Sequence, residues 1–180
     1  AEGMSDKMEQ FLANQLEAGR VLDAVIAQSE AQARNMWVIR ESVAPASRAE
    51  GPGLSYDISV SISKIPGFID KGIKAALDIL PSIRPYPLGH IGDGNLHFSF
   101  MGPQGMDRET LKQYSPAITR AVNDLVTSMA GSISAEHGIG IDKIDELAHY
   151  RSKIELDTMR SLKRALDPKN IMNPGKILRL

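Results

Sequence analysis

The segment Ser55-Tyr56-Asp57-Ile58-Ser59-Val60-Ser61-Ile62 alternates polar and apolar residues without a break, and an extended chain puts every second side chain on the same face. One such strand commits the fold to a sheet with a dry face, and that face needs helices to cover it. The polar face is small and rich in serine. Helical spacing downstream supplies the cover: Pro66 opens a helix through Ile69, Ile73, Ala76, Leu77 and Leu80, stopped by Pro81, and a longer one runs from about Asp107 to Ala130. Leu156, Met159, Leu162 and Leu166 form one stripe of a last amphipathic helix that ends at Asp167-Pro168. Two strand-like runs, Ile83 to His90 and Asn95 to Met101, flank Gly92-Asp93-Gly94, which is good hairpin chemistry. Gly131-Ser132-Ile133-Ser134 reads as a short strand leading to Glu136-His137-Gly138-Ile139-Gly140. The expected class is α+β, a mostly antiparallel sheet with helices packed on one face.

Upstream, Ser5 to Ala18 has helical spacing and Gly19 stops it, while Val21 to Ile26 reads as a buried strand. Ser29, with Gln32 three residues on, caps a second helix through Met36, Trp37 and Ile39 towards Pro45. Trp37 is expected in the core, Arg48 to Gly53 in a loop, and His149 on a solvated helical stretch. With no repeat or low-complexity linker, residues 1–180 read as one domain. The start, Ala1-Glu2-Gly3-Met4, has no signal-peptide core and no apolar run spans a bilayer.

Composition narrows the chemistry. With 21 Lys+Arg against 22 Asp+Glu, spread along the chain, the sequence lacks the basic face of a nucleic-acid binder. It contains no cysteine, which excludes disulfides and thiol catalysis, leaves imidazole and carboxylate as metal ligands, and leans to a reducing, cytoplasmic compartment. Both Gly-x-Gly segments lack the third glycine and the strand-to-helix context of a dinucleotide fold. No Gly-x-Ser-x-Gly, Walker loop or His-Glu-x-x-His is present.

The informative segment is Gly89-His90-Ile91-Gly92-Asp93-Gly94-Asn95-Leu96-His97. Two histidines flank a glycine turn and converge if the turn folds back; each alone is as readily a local hydrogen-bonding residue. Period two puts Asn95, His97 and Ser99 on one strand face and Leu96, Phe98 and Phe100 on the other. Glu136 is able to complete a two-histidine, one-carboxylate site with open positions, leaving His137 free as a base; a turn cap and a surface imidazole are the plainer alternatives. Arg40 has the fork to clamp a carboxylate or to make an ordinary ion pair.

Taken together, Gly89-His90-x-Gly-Asp-Gly-Asn-x-His97, Ser134-x-Glu136-His137-Gly138-x-Gly140 and Asp167-Pro168-x-x-Ile171-Met172-Asn173-Pro174-Gly175-Lys176 resemble the C-terminal domain of FAD-linked oxidases. These are the D-lactate, D-2-hydroxyglutarate and glycolate-type dehydrogenases of the vanillyl-alcohol oxidase superfamily. Trp37-x-x-Arg40-Glu41 and Tyr56-Asp57-Ile58-Ser59-Val60 match in the same order. The resemblance implies a ferredoxin-like cap domain closing over a flavin held by a separate N-terminal FAD-binding domain. It implies a zinc-like divalent ion at His90, His97 and Glu136, a base at His137, and substrate contacts from Arg40, Ser99 and His137. The Asn173-Pro174-Gly175-Lys176 turn would return to the flavin domain, with Asn173 on the cofactor side.

Family enzymes specific for D-2-hydroxyglutarate carry Thr, Lys and Asn where this chain has Ala44, Ser55 and Ser99, so a smaller or less charged 2-hydroxy acid is as good a candidate substrate. Ser61 stands where the family usually has proline. Beginning at Ala1 without methionine, the chain is expected to be an excised domain. Its electron acceptor is open and a homodimer is compatible with the sequence. The rival readings are a stand-alone metal-dependent hydrolase using the same His/His/Glu set, with Asp93 or His137 activating water, and a non-catalytic folding module.

Overall fold

The structure, a computed structural model, describes residues 3–90 and 92–180. Ala1 and Glu2 of the chain start and Ile91 of the histidine motif lie outside it. The chain forms two compact units, Ala1–Ala46 and Ser47–Leu180.

The first unit holds α1 (Met4–Glu17) and α2 (Glu30–Glu41). Ser29 caps α2 by accepting the Gln32 N–H at 3.2 Å, but the Gln32 side chain accepts from the Gln28 N–H rather than closing the box on Ser29. Two expectations fail here. Val21 to Ile26 forms no strand, and Leu22 is 98% exposed; a short apolar run becomes a strand only where an edge offers it partners. Trp37 is 59% exposed, not core, and its ring carries the Arg40 guanidinium 5.7 Å from its centroid. α3 (Val43–Glu50) spans the boundary between the units. It replaces the expected Arg48 to Gly53 loop as far as Glu50. Pro45 lies in its first turn, where a missing N–H costs nothing, so the proline begins a helix instead of ending one.

The second unit is built on β1 (Gly53–Ser59), α4 (Ile65–Ile79), β2 (Arg84–Pro85), β3 (Leu88–Gly89), β4 (Asn95–Met101), α5 (Arg108–Ser128), α6 (Ile144–Tyr150) and α7 (Lys153–Leu166). β4 lies between β1 on one side and β2 and β3 on the other, all antiparallel. Ser132 makes a bridge to Ser59 on the outer edge of β1. The order, with helices after the first and third strand positions, is that of a ferredoxin-like sheet. The expected mixture of helices and antiparallel sheet is therefore observed. Two strands are curtailed: Ile83 to His90 is split into two short pieces, and Gly131 to Ser134 is reduced to the one bridge.

The alternation drives the packing. Ile58, Leu96, Phe98 and Phe100 meet Phe68 and Ala76 of α4 and Ile118, Val122 and Val126 of α5 in one buried cluster. Phe98 lies edge-on to Phe68 and Phe100, with centroids 5.0 and 4.9 Å away. A Cβ at Gly72 would stand 2.7 Å from the Phe98 ring, so glycine lets α4 approach the sheet closely. In α7 only part of the expected stripe is buried: Leu156 is, while Leu166 is 80% exposed.

Asp167 fixes the chain after α7. Buried, it accepts the Ile171 N–H at 3.0 Å and the Met172 N–H at 2.9 Å, and pairs with Lys163, which also reaches the Met172 carbonyl. The Lys163 ammonium holds the carboxyl below its usual range; burial opposes this, and the two backbone N–H groups add to it. A carboxyl depressed in the folded state stabilises above its unfolded pKa, and that stabilisation is lost as pH falls through the folded value. Thermal melts of Asp167→Asn should therefore lie below wild type at neutral pH, with the gap closing below the ordinary aspartate range.

Candidate metal and substrate site

The site is on the polar face of the β1–β4 pair. Register sets Ser55 against Ser99, Asp57 against His97 and Ser59 against Asn95. A tight turn returns His90 to this face. The His90 N–H donates to the Asn95 carbonyl at 3.0 Å, and the Asn95 N–H donates to Asp93 Oδ1 at 3.0 Å. Gly94 has φ +81°, and a Cβ there would meet the Val60 carbonyl at 2.2 Å; one at Gly89 would meet the Asn95 carbonyl at 2.4 Å. The glycines are thus what lets the two histidines close on each other.

Glu136 arrives from the segment after Ser132. His90 Nε2 is 3.7 Å from Glu136 Oε1, and His97 Nε2 is 4.0 Å from Oε2. The His90 and His97 rings are 5.5 Å apart at 67°. Donor atoms on a tetrahedral ion with bonds of about 2.0–2.1 Å lie roughly 3.4 Å apart. The two distances to Glu136 lie a few tenths of an ångström beyond that spacing, and two imidazoles with a carboxylate suit a divalent ion of intermediate softness. His90 Nδ1 faces Asp93 Oδ2 at 3.9 Å, the side from which a carboxylate orients a ligating imidazole. His137 is beside the set, its ring 6.1 Å from that of His97 and nearly parallel, with the side chain 66% exposed.

The group of described residues whose ligand atoms all lie within 4.8 Å of one another is Asp57, His97, Glu136 and His137, and it does not include the expected ligand His90. Asp57 is the residue sequence reasoning passed over. Its Oδ2 accepts the N–H groups of Ala135, Glu136 and His137 at 3.0, 2.8 and 2.8 Å, which leaves Oδ1 as the oxygen it has to offer. Burial pushes the Asp57 carboxyl up, but the backbone N–H groups of His137 and Glu136, with the charges of His137 and Lys143, hold it below the usual range. The available signal was a lone carboxylate among serines on a strand face. Asn95 was assigned to this face by parity but not to a role; its side chain and Asp57 Oδ1 are buried without hydrogen-bond partners among the described residues.

Lys143 braces the same loop, donating to the Ile133 carbonyl and Ser134 Oγ at 3.1 Å each. Burial lowers the pKa of its ammonium and the Asp57 charge counters this. Ser99 is buried and hydrogen-bonded to Ser55 through their hydroxyls at 2.9 Å. Arg40 belongs to the first unit, where it lies in an open groove with Ala27, Ala33, Met36 and Trp37. Asn173 is exposed, at φ +47°, in the turn anchored by Asp167.

The chain's residues 2–177 match the family model of FAD linked oxidases, C-terminal domain, and the chain belongs to that family. It is 38% identical over 175 residues to a D-2-hydroxyglutarate dehydrogenase of Stutzerimonas stutzeri, covering 96% of this chain and 38% of the relative. A mitochondrial D-2-hydroxyglutarate dehydrogenase of Arabidopsis thaliana is 36% identical over 173 residues, covering 96% and 30%. A D-2-hydroxyglutarate–pyruvate transhydrogenase of Saccharomyces cerevisiae is 31% identical over 180 residues, covering 96% and 35%. The chain thus spans about a third of the length of these relatives.

The hairpin geometry can be tested directly. Gly94→Ala should destabilise the protein by more than the roughly 1–2 kcal/mol of a left-handed alanine, because the added Cβ also meets the Val60 carbonyl. Gly92→Ala, with nothing near its Cβ, should be close to neutral in the same denaturant titration.

Proposed function

We propose that this chain is the substrate- and metal-binding domain of an FAD-dependent dehydrogenase that oxidises a D-2-hydroxy acid to the 2-oxo acid. The observation that supports the reading is that His90 and His97 face the two carboxylate oxygens of Glu136, with the His137 ring beside that of His97. Family membership and the relatives' names support the reaction class.

His90, His97 and Glu136 would hold a zinc-like divalent ion, which when bound supplies Lewis acidity towards the substrate hydroxyl and carboxylate. His137 is exposed beside that set and takes the hydroxyl proton as a neutral imidazole. The two Gly-x-Gly segments are a hairpin turn and a loop whose glycines have positive φ, and neither follows a strand and opens directly into a helix. They form no dinucleotide cradle. Family membership supports FAD as the cofactor; held in this reading by a separate N-terminal domain, it would supply the hydride acceptor. Asn173 would face that domain, and Arg40 would anchor the substrate carboxylate. Ser99 would line the substrate side. Ser55 and Ser99 hydrogen-bond each other across the strands, so these two positions offer hydroxyls and no charge to a second carboxylate. The substrate in this reading is a D-2-hydroxy acid, with a smaller or less charged one as good a candidate as the D-2-hydroxyglutarate of the relatives' names.

The test is anaerobic flavin bleaching in the full-length flavoprotein. His137→Ala should slow bleaching by about 10²- to 10⁴-fold with flavin still bound, and survival of the wild-type rate would exclude His137 as the base. His97→Ala should abolish stoichiometric zinc. Comparing D-lactate with D-2-hydroxyglutarate checks the substrate assignment, and hydrolytic turnover without flavin reduction would favour the rival hydrolase.

A further inference from the structure

Asp57 is nearly fully buried, with its side chain 3% exposed, in the middle of β1 and opposite His97. Burying a carboxylate is costly unless its charge is met by well-aligned donors. Here the donors are three consecutive backbone N–H groups, all on Oδ2. Successive N–H groups converging in this way form an anion-binding concavity, and the anion in it is a side chain of the same protein. The two residues whose side chains matter most nearby, Glu136 and His137, are two of the three donors. The same Oδ2 also faces His137 Nδ1 at 3.9 Å, which leaves Nε2 as the ring nitrogen turned to other partners.

Resting on the function proposed above, we propose that Asp57 is a positioning residue: its carboxylate clamps the Ala135–His137 backbone, aiming Glu136 at the histidine pair and His137 at the substrate. The clamp has a second jaw. Lys143 holds the Ile133 carbonyl and Ser134 Oγ, and Ser134 Oγ donates to the Gly138 carbonyl at 2.7 Å, so the loop is fixed on both sides of residues 135–137. Charge-assisted bonds of this kind are stronger than neutral ones, and they add to the one backbone bond that Ala135 makes to this strand, from its N–H to the Asp57 carbonyl at 3.3 Å.

The experiment uses the full-length flavoprotein with Asp57→Ala and Asp57→Asn. Amide hydrogen exchange at 135–137 reads the clamp without reference to metal or turnover. It should rise markedly in the alanine variant and less in the asparagine variant, which keeps a neutral acceptor. Zinc affinity, by chelator competition, should fall about 10- to 100-fold in Asp57→Ala, as for other groups that orient metal ligands. Asparagine should restore most of it. Flavin reduction should lose more in kcat than in KM. Unchanged exchange at 135–137 and unchanged zinc affinity in a folded, flavin-bound variant would overturn the proposal. If the alanine variant does not fold, Asp57→Asn decides on the same readouts. Glu136→Gln separates the two readings: wild-type zinc affinity in that variant would sink the metal site while faster exchange in Asp57→Ala still upheld the clamp.

Discussion

The two faces of the β1–β4 pair carry the second unit. On one, Ile58, Leu96, Phe98 and Phe100 are sealed against α4 and α5; on the other, Ser55, Asp57, Asn95, His97 and Ser99 form a polar row that is largely buried as well. Because the side-chain period is two, a one-residue slip would exchange these sets. Three phenylalanine rings in contact make that exchange prohibitive. The hydrophobic core therefore sets the register, and the register in turn sets Asp57 opposite His97. The site geometry thus follows from core packing through the strand register.

The polar face resolves its own burial by local hydrogen bonding. Ser55 pairs with Ser99, and Asp57 takes three backbone N–H groups. That capture explains why the strand expected at Gly131 to Ser134 amounts to one bridge. After Ser132 exchanges hydrogen bonds with Ser59, the Ser134 N–H turns to Ser132 Oγ, the Ala135 N–H is shared between the Asp57 carbonyl and its Oδ2, and the Glu136 and His137 N–H groups go to Oδ2 alone, where the chain leaves the sheet edge. Leaving there turns Glu136 towards His90 and His97. A longer ladder would have carried these residues along β1, alternating across its two faces.

Much of this was legible in the sequence because the relevant signals are local. Alternation marked β1 and β4, the Gly-Asp-Gly turn marked the hairpin, and Pro66 and Pro81 bracketed α4. The convergence of His90 and His97 needed only the turn. What escaped depended on distant partners. Nothing local distinguishes Asp57 from a solvated strand aspartate, since its donors are 78 to 80 residues away. The Val21 to Ile26 run and Trp37 carry the composition of buried segments, yet within their unit Leu22, Val25 and Trp37 are exposed. Hydrophobicity registers a tendency to be covered, not the identity of the cover.

Exposed apolar residues also occur where the secondary structure is well determined. α7 begins with a complete capping box, Ser152 with Glu155, and ends on the Asp167 cage, yet Ile154, Leu162 and Leu166 face outward, as do Ile171 and Met172 just beyond. A helix fixed at both ends by polar devices does not need its apolar residues for its own stability. The same division runs through the site, where the backbone of the Glu136 loop is held by Asp57 and Lys143 while the His137 side chain is left open. In both places hydrogen bonds to the backbone fix the frame and leave side chains available.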